Sequence, residues 1–186
     1  MVLRDENVIV LDFLPRGHSS GKGEPIAQVL GIKYFSLLEV VAKPEVSMKH
    51  GDKVYIGEGE RDKVDHIKRR IKVNDLTNFS KSELQYVVER VINEDEERFV
   101  NFFNNAQPIS TRIHQLELLP GVGKKHMWDI INERKKGVFK DFNDLKTRVK
   151  LLPDPKAAIV KRIMEELENE NERYRLFVAG RPVRRY

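Results

Sequence analysis

The sequence predicts an α+β protein in which a small five-stranded β-barrel precedes an all-helical part. Three observations predict it. Residues 7–73 hold five short apolar segments, separated by turn residues and without helical periodicity; Ser80-Lys81-Ser82-Glu83 has the form of a capping box; and beyond Pro108 the chain breaks into short helical stretches containing an internal repeat.

The expected strands are Val8 to Leu14, Ile26 to Leu30, Tyr34 to Ala42, Lys53 to Ile56 and Val64 to Val73. Turn-forming stretches separate them: Pro15 to Gly23, Pro44 to Asp52, and the hairpin tip Gly57-Glu58-Gly59-Glu60. Five strands fit a small closed barrel over residues 1–78. The OB-fold has this strand number and commonly binds oligonucleotides, so the barrel is called OB-like by analogy; SH3-like and other barrels share the pattern. On the last strand, alternation sets Ile67, Ile71 and Val73 on one face and His66, Lys68, Arg70 and Lys72 on the other. Such a basic stripe suits a phosphate backbone, and equally serves to keep an edge strand from pairing with another chain. The loop Gly17 to Gly23, with Lys22, reads as a basic loop at the barrel rim; a strand rather than a helix follows it, so it is no Walker loop.

A helical connector is expected over residues 79–107. Leu84, Val87, Val88, Val91 and Ile92 mark its buried face, and after the acidic interruption Asn93 to Glu97 the apolar set resumes with Phe99, Phe102 and Phe103. That pattern describes one kinked helix or two abutting ones, with the aromatic trio as core. Over residues 108–170 the expected helices are Thr111 to Leu118, Lys124 to Lys135, Asp141 to Val149 and Lys156 to Asn169. Leu118-Leu119-Pro120-Gly121-Val122-Gly123-Lys124 aligns without gaps on Leu151-Leu152-Pro153-Asp154-Pro155-Lys156-Ala157, an offset of 33 residues, so a helix-turn-helix unit has been duplicated and its second copy has lost the glycines. Residues 171–186 form a basic end with Arg173, Arg175, Arg181, Arg184 and Arg185; Leu176-Phe177-Val178 within it is predicted to return to the barrel as a strand.

The 186 residues carry 34 Lys and Arg against 29 Asp and Glu, a formal charge of +5, and the excess is uneven. Residues 1–107 hold 16 basic and 18 acidic side chains, net −2; residues 108–186 hold 18 and 11, net +7. A polyanion-facing rear part follows, against the plainer alternative of a solvated helical surface. No cysteine is present, which removes disulfides, thiolate metal sites and a cysteine nucleophile. The five histidines, His18, His50, His66, His114 and His126, show no metal or hydrolase spacing. The expectation is therefore no enzyme, no metal and no cofactor. No run approaches the roughly 18 apolar residues of a membrane span, and Met1 to Glu6 lacks a signal-peptide start, which predicts a cytoplasmic protein without a membrane partner.

Leu119-Pro120-Gly121-Val122-Gly123-Lys124-Lys125, set between two helical stretches, resembles the helix-hairpin-helix of DNA ligases and repair glycosylases. The physical reading agrees with the resemblance. Gly121 and Gly123 permit a tight turn and close approach of backbone to phosphate, N–H groups at the following helix start favour an anion, Lys124 and Lys125 add charge, His126 adjoins them, and Val122 plugs the helix pair. A turn that merely joins two helices of a protein-binding module is the alternative. Met127 departs from the small residue usual there, with bulky Trp128 beside it, and Asp154 and Pro155 replace the second pair of glycines. Taken whole, with Arg98 to Asn105 and Arg112 to Gly121 as the clearest stretches, the chain resembles a family of uncharacterised archaeal proteins predicted to bind nucleic acid. That resemblance implies an OB-like front domain, a tandem helix-hairpin-helix rear domain, an RNA partner in preference to DNA, and a setting in translation or ribosome biogenesis.

Overall fold

The computed structural model describes residues 3–18 and 23–180. It has the α+β class: five antiparallel strands in a half-barrel, then five helices. The strands are β1 (Asn7–Leu14), β2 (Ile26–Gly31), β3 (Leu37–Ala42), β4 (Lys53–Tyr55) and β5 (Val64–Arg70), in the sheet order β4-β1-β2-β3-β5. The barrel expected to close stays open: β4 and β5 are the two edges of the sheet and do not pair with each other. With only three residues, β4 presents few groups for closure.

The helices are α1 (Asn78–Glu94), α2 (Glu96–Asn105), α3 (Lys124–Lys136), α4 (Phe142–Arg148) and α5 (Pro155–Glu168). The chain divides into two compact units, one of residues 1–87 and 166–186, the other of residues 88–165.

In the first unit, period-two alternation sends Val8, Val10, Ala27, Val29, Val40, Ala42, Val54 and Val64 into one apolar cluster. The opposite face carries a polar row set by register. Asp12 pairs with Gln28, Gln28 with Glu39, and Glu39 with Arg69; a bulge between Val10 and Asp12 turns Asp12 onto the Gln28 face. Glu39 is fully buried, and its carboxylate accepts hydrogen bonds from Gln28 Nε2 (3.2 Å), His18 Nε2 (2.6 Å) and Arg69 Nε (2.7 Å). Burial raises its pKa, but these donors outweigh that effect and hold the carboxyl below the ordinary value. The row also docks α1. Gln28 Oε1 accepts from Thr77 N at 2.9 Å, and Thr77 Oγ1 donates to Asp12 at 2.7 Å while accepting from Ser80 N at 3.0 Å. Thr77 is therefore the cap of α1, and the expected capping box at Ser80 lies inside the first turn.

Strand β3 starts later than expected because Tyr34 and Phe35 belong to a turn, Phe35 having a φ of 53°. Asp5, buried to 6% exposure, holds that turn by accepting from the N–H groups of Lys33, Tyr34 and Ser36. Strand β5 ends at Arg70 and a 3-10 turn follows at Val73–Asp75. Residues 176–178 are not a strand. Their three N–H groups all bind the carboxylate of Glu166, which is 1% exposed, and the stretch still returns to the sheet unit through Ala179 N to Tyr34 O at 3.1 Å.

In the second unit Phe99 and Phe103 are buried and Phe102 half-buried, with Phe103 edge-on to Phe142 at 6.5 Å. Residues 111–114 are not helical, and only a 3-10 turn, Gln115–Leu118, precedes the hairpin. Ser110 Oγ accepts from the N–H groups of Arg112 and Ile113, and Pro108 bridges to His114, so the local side chain outcompetes a helix.

Candidate nucleic-acid interface

The turn Leu119 to Gly123 delivers the chain into α3. Gly121 has a φ of +81°, and a Cβ there would stand 3.2 Å from Pro153 Cγ, so the turns of the two repeat copies pack against each other. Val122 and its repeat counterpart Pro155 are both buried, as are Ile130 and Ile163. Gly123 is different. It is extended (φ −92°, ψ −173°), a Cβ would meet nothing within 4 Å, and it caps α3 with no side chain to accept a hydrogen bond. Only Gly121, then, needs glycine for its backbone conformation.

The consequence is an open helix start. The N–H groups of Lys124, Lys125 and His126 have no hydrogen-bond acceptor among the described residues, and the first turn of α3 holds no carboxylate. Lys124 and Lys125 are 71% and 75% exposed, tethered loosely to Glu117 (3.2 Å) and Asp129 (3.8 Å). At the starts of α4 and α5 the protein fills such positions itself. Asp141 accepts from Asp144 N at the start of α4, and Asp154 accepts from Ala157 N at 3.1 Å at the start of α5. Backbone hydrogen bonds from Ala157, foremost, hold the Asp154 carboxyl below its ordinary pKa, with Lys146 adding a smaller attraction. The second copy thus carries its own anion where the first is vacant of one. Three donors and two cations on a helix dipole suit a phosphate oxygen.

Arginine serves another purpose. Arg134 donates to the carbonyls of Phe103 and Ala106 at the end of α2, Arg148 to those of Glu133 and Gly137 at the end of α3, and Arg175 to those of Glu166, Asn169 and Glu170 at the end of α5. Part of the rear charge excess is therefore structural.

Gly121, Val122, Gly123, Lys124, Lys125 and His126 follow one another through the turn and the first turn of α3. The basic residues of the sheet unit have internal work: Lys68 pairs with Glu24 (3.2 Å), Lys72 with Glu170 (2.7 Å), and Arg70 donates to Ala179 and Gly180 carbonyls. Ile67 is 40% exposed and lines a cleft of about 540 Å³ with Leu3, Leu38, Tyr55, Ile56 and Arg70, a residue of the other face by simple alternation. Lys22, Arg181, Arg184 and Arg185 lie outside the described residues. Trp128 does not enter the helix pair at all; Met127 is the buried residue and Trp128 is 56% exposed. Its position four residues after Lys124 is the signal that sets it on the outer face.

His114 is no surface residue. It is 5% exposed, and its Nδ1 accepts from Leu116 N at 3.1 Å. Burial, then the charge of Arg134, push its pKa below 6.5, against a smaller opposite pull from Glu117. The unfolded chain therefore takes up this proton more readily than the folded one. Stability is intact above pH 6.5 and is lost as pH falls from there through the folded pKa. Thermal unfolding from pH 7.5 to 5 should show the decline, and His114→Asn, which keeps an acceptor but does not titrate, should flatten it.

Among the described residues no helix is long and apolar enough to cross a membrane, and no three His, Asp or Glu side chains gather as a metal site. The chain is 48% identical over 170 residues to the uncharacterized protein MJ0038 of Methanocaldococcus jannaschii, covering 91% of this chain and 77% of that one. It is also similar to the crystal structure of Af1531 from Archaeoglobus fulgidus, at 49% identity and a TM-score of 0.85, over 94% of this chain and 100% of the other. A family described as proteins of unknown function, DUF655, matches residues 4–179, and the chain belongs to that family.

Proposed function

We propose that the protein is a non-catalytic nucleic-acid-binding protein that grips a phosphate backbone at the hairpin leading into α3. One observation carries this reading: the N–H groups of Lys124, Lys125 and His126 have no acceptor among the described residues, beside two exposed lysines, while the duplicated copy satisfies the same need with Asp154. RNA is favoured over DNA, with translation or ribosome biogenesis as the setting that the sequence resemblance implies; the grip itself reads phosphate, which both nucleic acids share. The sheet unit contributes less than its sequence suggests, because Lys68, Arg70 and Lys72 are engaged internally.

Lys124→Ala combined with Lys125→Ala tests the grip. Both side chains are more than two-thirds exposed, so the variant should stay folded by circular dichroism. Its plot of log affinity against log salt should flatten by about 0.7 per lost contact on a single strand, or about 0.9 on B-form DNA, nearly independently of sequence. An unchanged slope and affinity would move a protein-docking role for the helical unit to first place.

A further inference from the structure

Trp128 is the only tryptophan of the chain, and more than half of it faces water. Tryptophan has the most apolar surface to lose by exposure and is usually buried for most of its area. Here the buried face of α3 is already supplied by Met127 and Ile130. Trp128 stands on the outer face, three and four residues after Lys125 and Lys124, hence about one helical turn from the open N–H groups. The same face continues through exposed Asn132 to exposed Lys135, for which no ion-pair partner is found among the described residues. An aromatic plane is therefore flanked on both sides by cations.

We propose that Trp128 is a stacking platform for an unpaired base, so that the partner of the hairpin is a single-stranded segment or loop rather than a duplex. The proposal rests on the phosphate grip described above and adds the form of nucleic acid that suits it. In a duplex the base faces are covered by their neighbours, whereas a base in a single strand can leave the stack and lie on an indole while its phosphate stays at the helix start. A lone exposed aromatic is common on protein surfaces. The charge around this one sets it apart: Lys124, Lys125 and Lys135 complement a polyanion, and Glu117, 3.2 Å from Lys124, with Asp129, 3.8 Å from Lys125, leaves three cations against two carboxylates.

Because Trp128 is the single tryptophan, its fluorescence reports this face alone. The full chain is titrated with a single-stranded ten-mer of uridine and, separately, with duplex RNA of equal length, while anisotropy of the labelled RNA follows binding. Quenching that tracks single-strand binding is expected, with none from the duplex. Trp128→Ala should weaken single-strand affinity by about 5- to 150-fold with an unchanged salt slope, Trp128→Phe should restore most of it, and duplex affinity should not move. If Trp128→Ala leaves single-strand affinity unchanged while the lysine double variant still loses it, stacking is wrong and the grip stands. If neither RNA binds the wild-type chain, the grip fails and the inference falls with it. Quenching by polyglutamate but not by RNA would assign the face to an acidic protein partner instead.

Discussion

Gly123→Asp is expected to weaken nucleic-acid binding by about tenfold or more in a protein that is at least as stable as before. The position accepts a side chain: its backbone is extended, and nothing lies within 4 Å of a Cβ. Aspartate is a preferred helix cap, gaining a few tenths of a kcal/mol over glycine, and its carboxylate would take up the open donors of Lys125 and His126, the positions that a capping side chain reaches. It would transfer to the first copy the solution that Asp154 already provides for α5. A phosphate would then meet a filled site and a like charge. Since a charge-assisted hydrogen bond is worth about 1.5–3 kcal/mol, affinity should fall by about tenfold or more. Thermal unfolding and anisotropy on the same preparation separate the two effects. A folded Gly123→Asp protein with wild-type affinity would place the binding surface elsewhere.

Glu166→Gln should give the largest loss of stability of any single change considered. The carboxylate is 1% exposed and accepts from three successive N–H groups, those of Leu176, Phe177 and Val178. Glutamine offers one acceptor oxygen, presents its amide hydrogens to the remaining donors, and lacks the charge that strengthens all three bonds. The cost is on the order of 3 kcal/mol, from buried donors left without a partner. Urea titration should record it. Limited proteolysis should find new cleavage between 170 and 180 before the sheet opens. A shift below about 0.5 kcal/mol would mean that Arg175 and the Ala179–Tyr34 bond hold the segment unaided.

The strands and long helices were legible because their signals are local. The stretches Val8 to Leu11 and Ile26 to Leu30 are short, largely apolar, bounded by turn residues and buried on both faces, and Leu84, Val88 and Val91 repeat with a helical period. What stayed hidden depends on residues far apart. Thr77 and Ser80 offer the same hydroxyl as a cap, and the choice is made by Asp12 and Gln28, 65 and 49 residues earlier. Glu166 sits among Glu165, Glu168 and Glu170 and looks like part of a solvated helix face until residues 176–178 fold onto it. The open barrel was hidden too, since five strands are compatible with closure and edges alike.

The hairpin was legible in composition but not in function, glycine by glycine. Gly121 and Gly123 look equivalent as letters, yet one supplies a left-handed turn and the other an absence of side chain. Trp128 shows a related limit. Bulk next to a hairpin suggests a wider helix pair, whereas its phase on α3 turns it outward.

The sheet unit is discontinuous in the chain: residues 1–87 wait for residues 166–180, which are synthesised only after the whole of the second unit. Arg70 reaches Ala179 across 109 residues, and Ala179 returns to Tyr34. The helical unit, by contrast, is one uninterrupted stretch. During synthesis the order of completion is therefore inverted relative to the order of emergence, because a contact between distant residues cannot form before both exist. The residues that emerge first are thus the last to gain all their contacts, because Tyr34 and Arg70 wait for Ala179 while every residue of the helical unit has already been made.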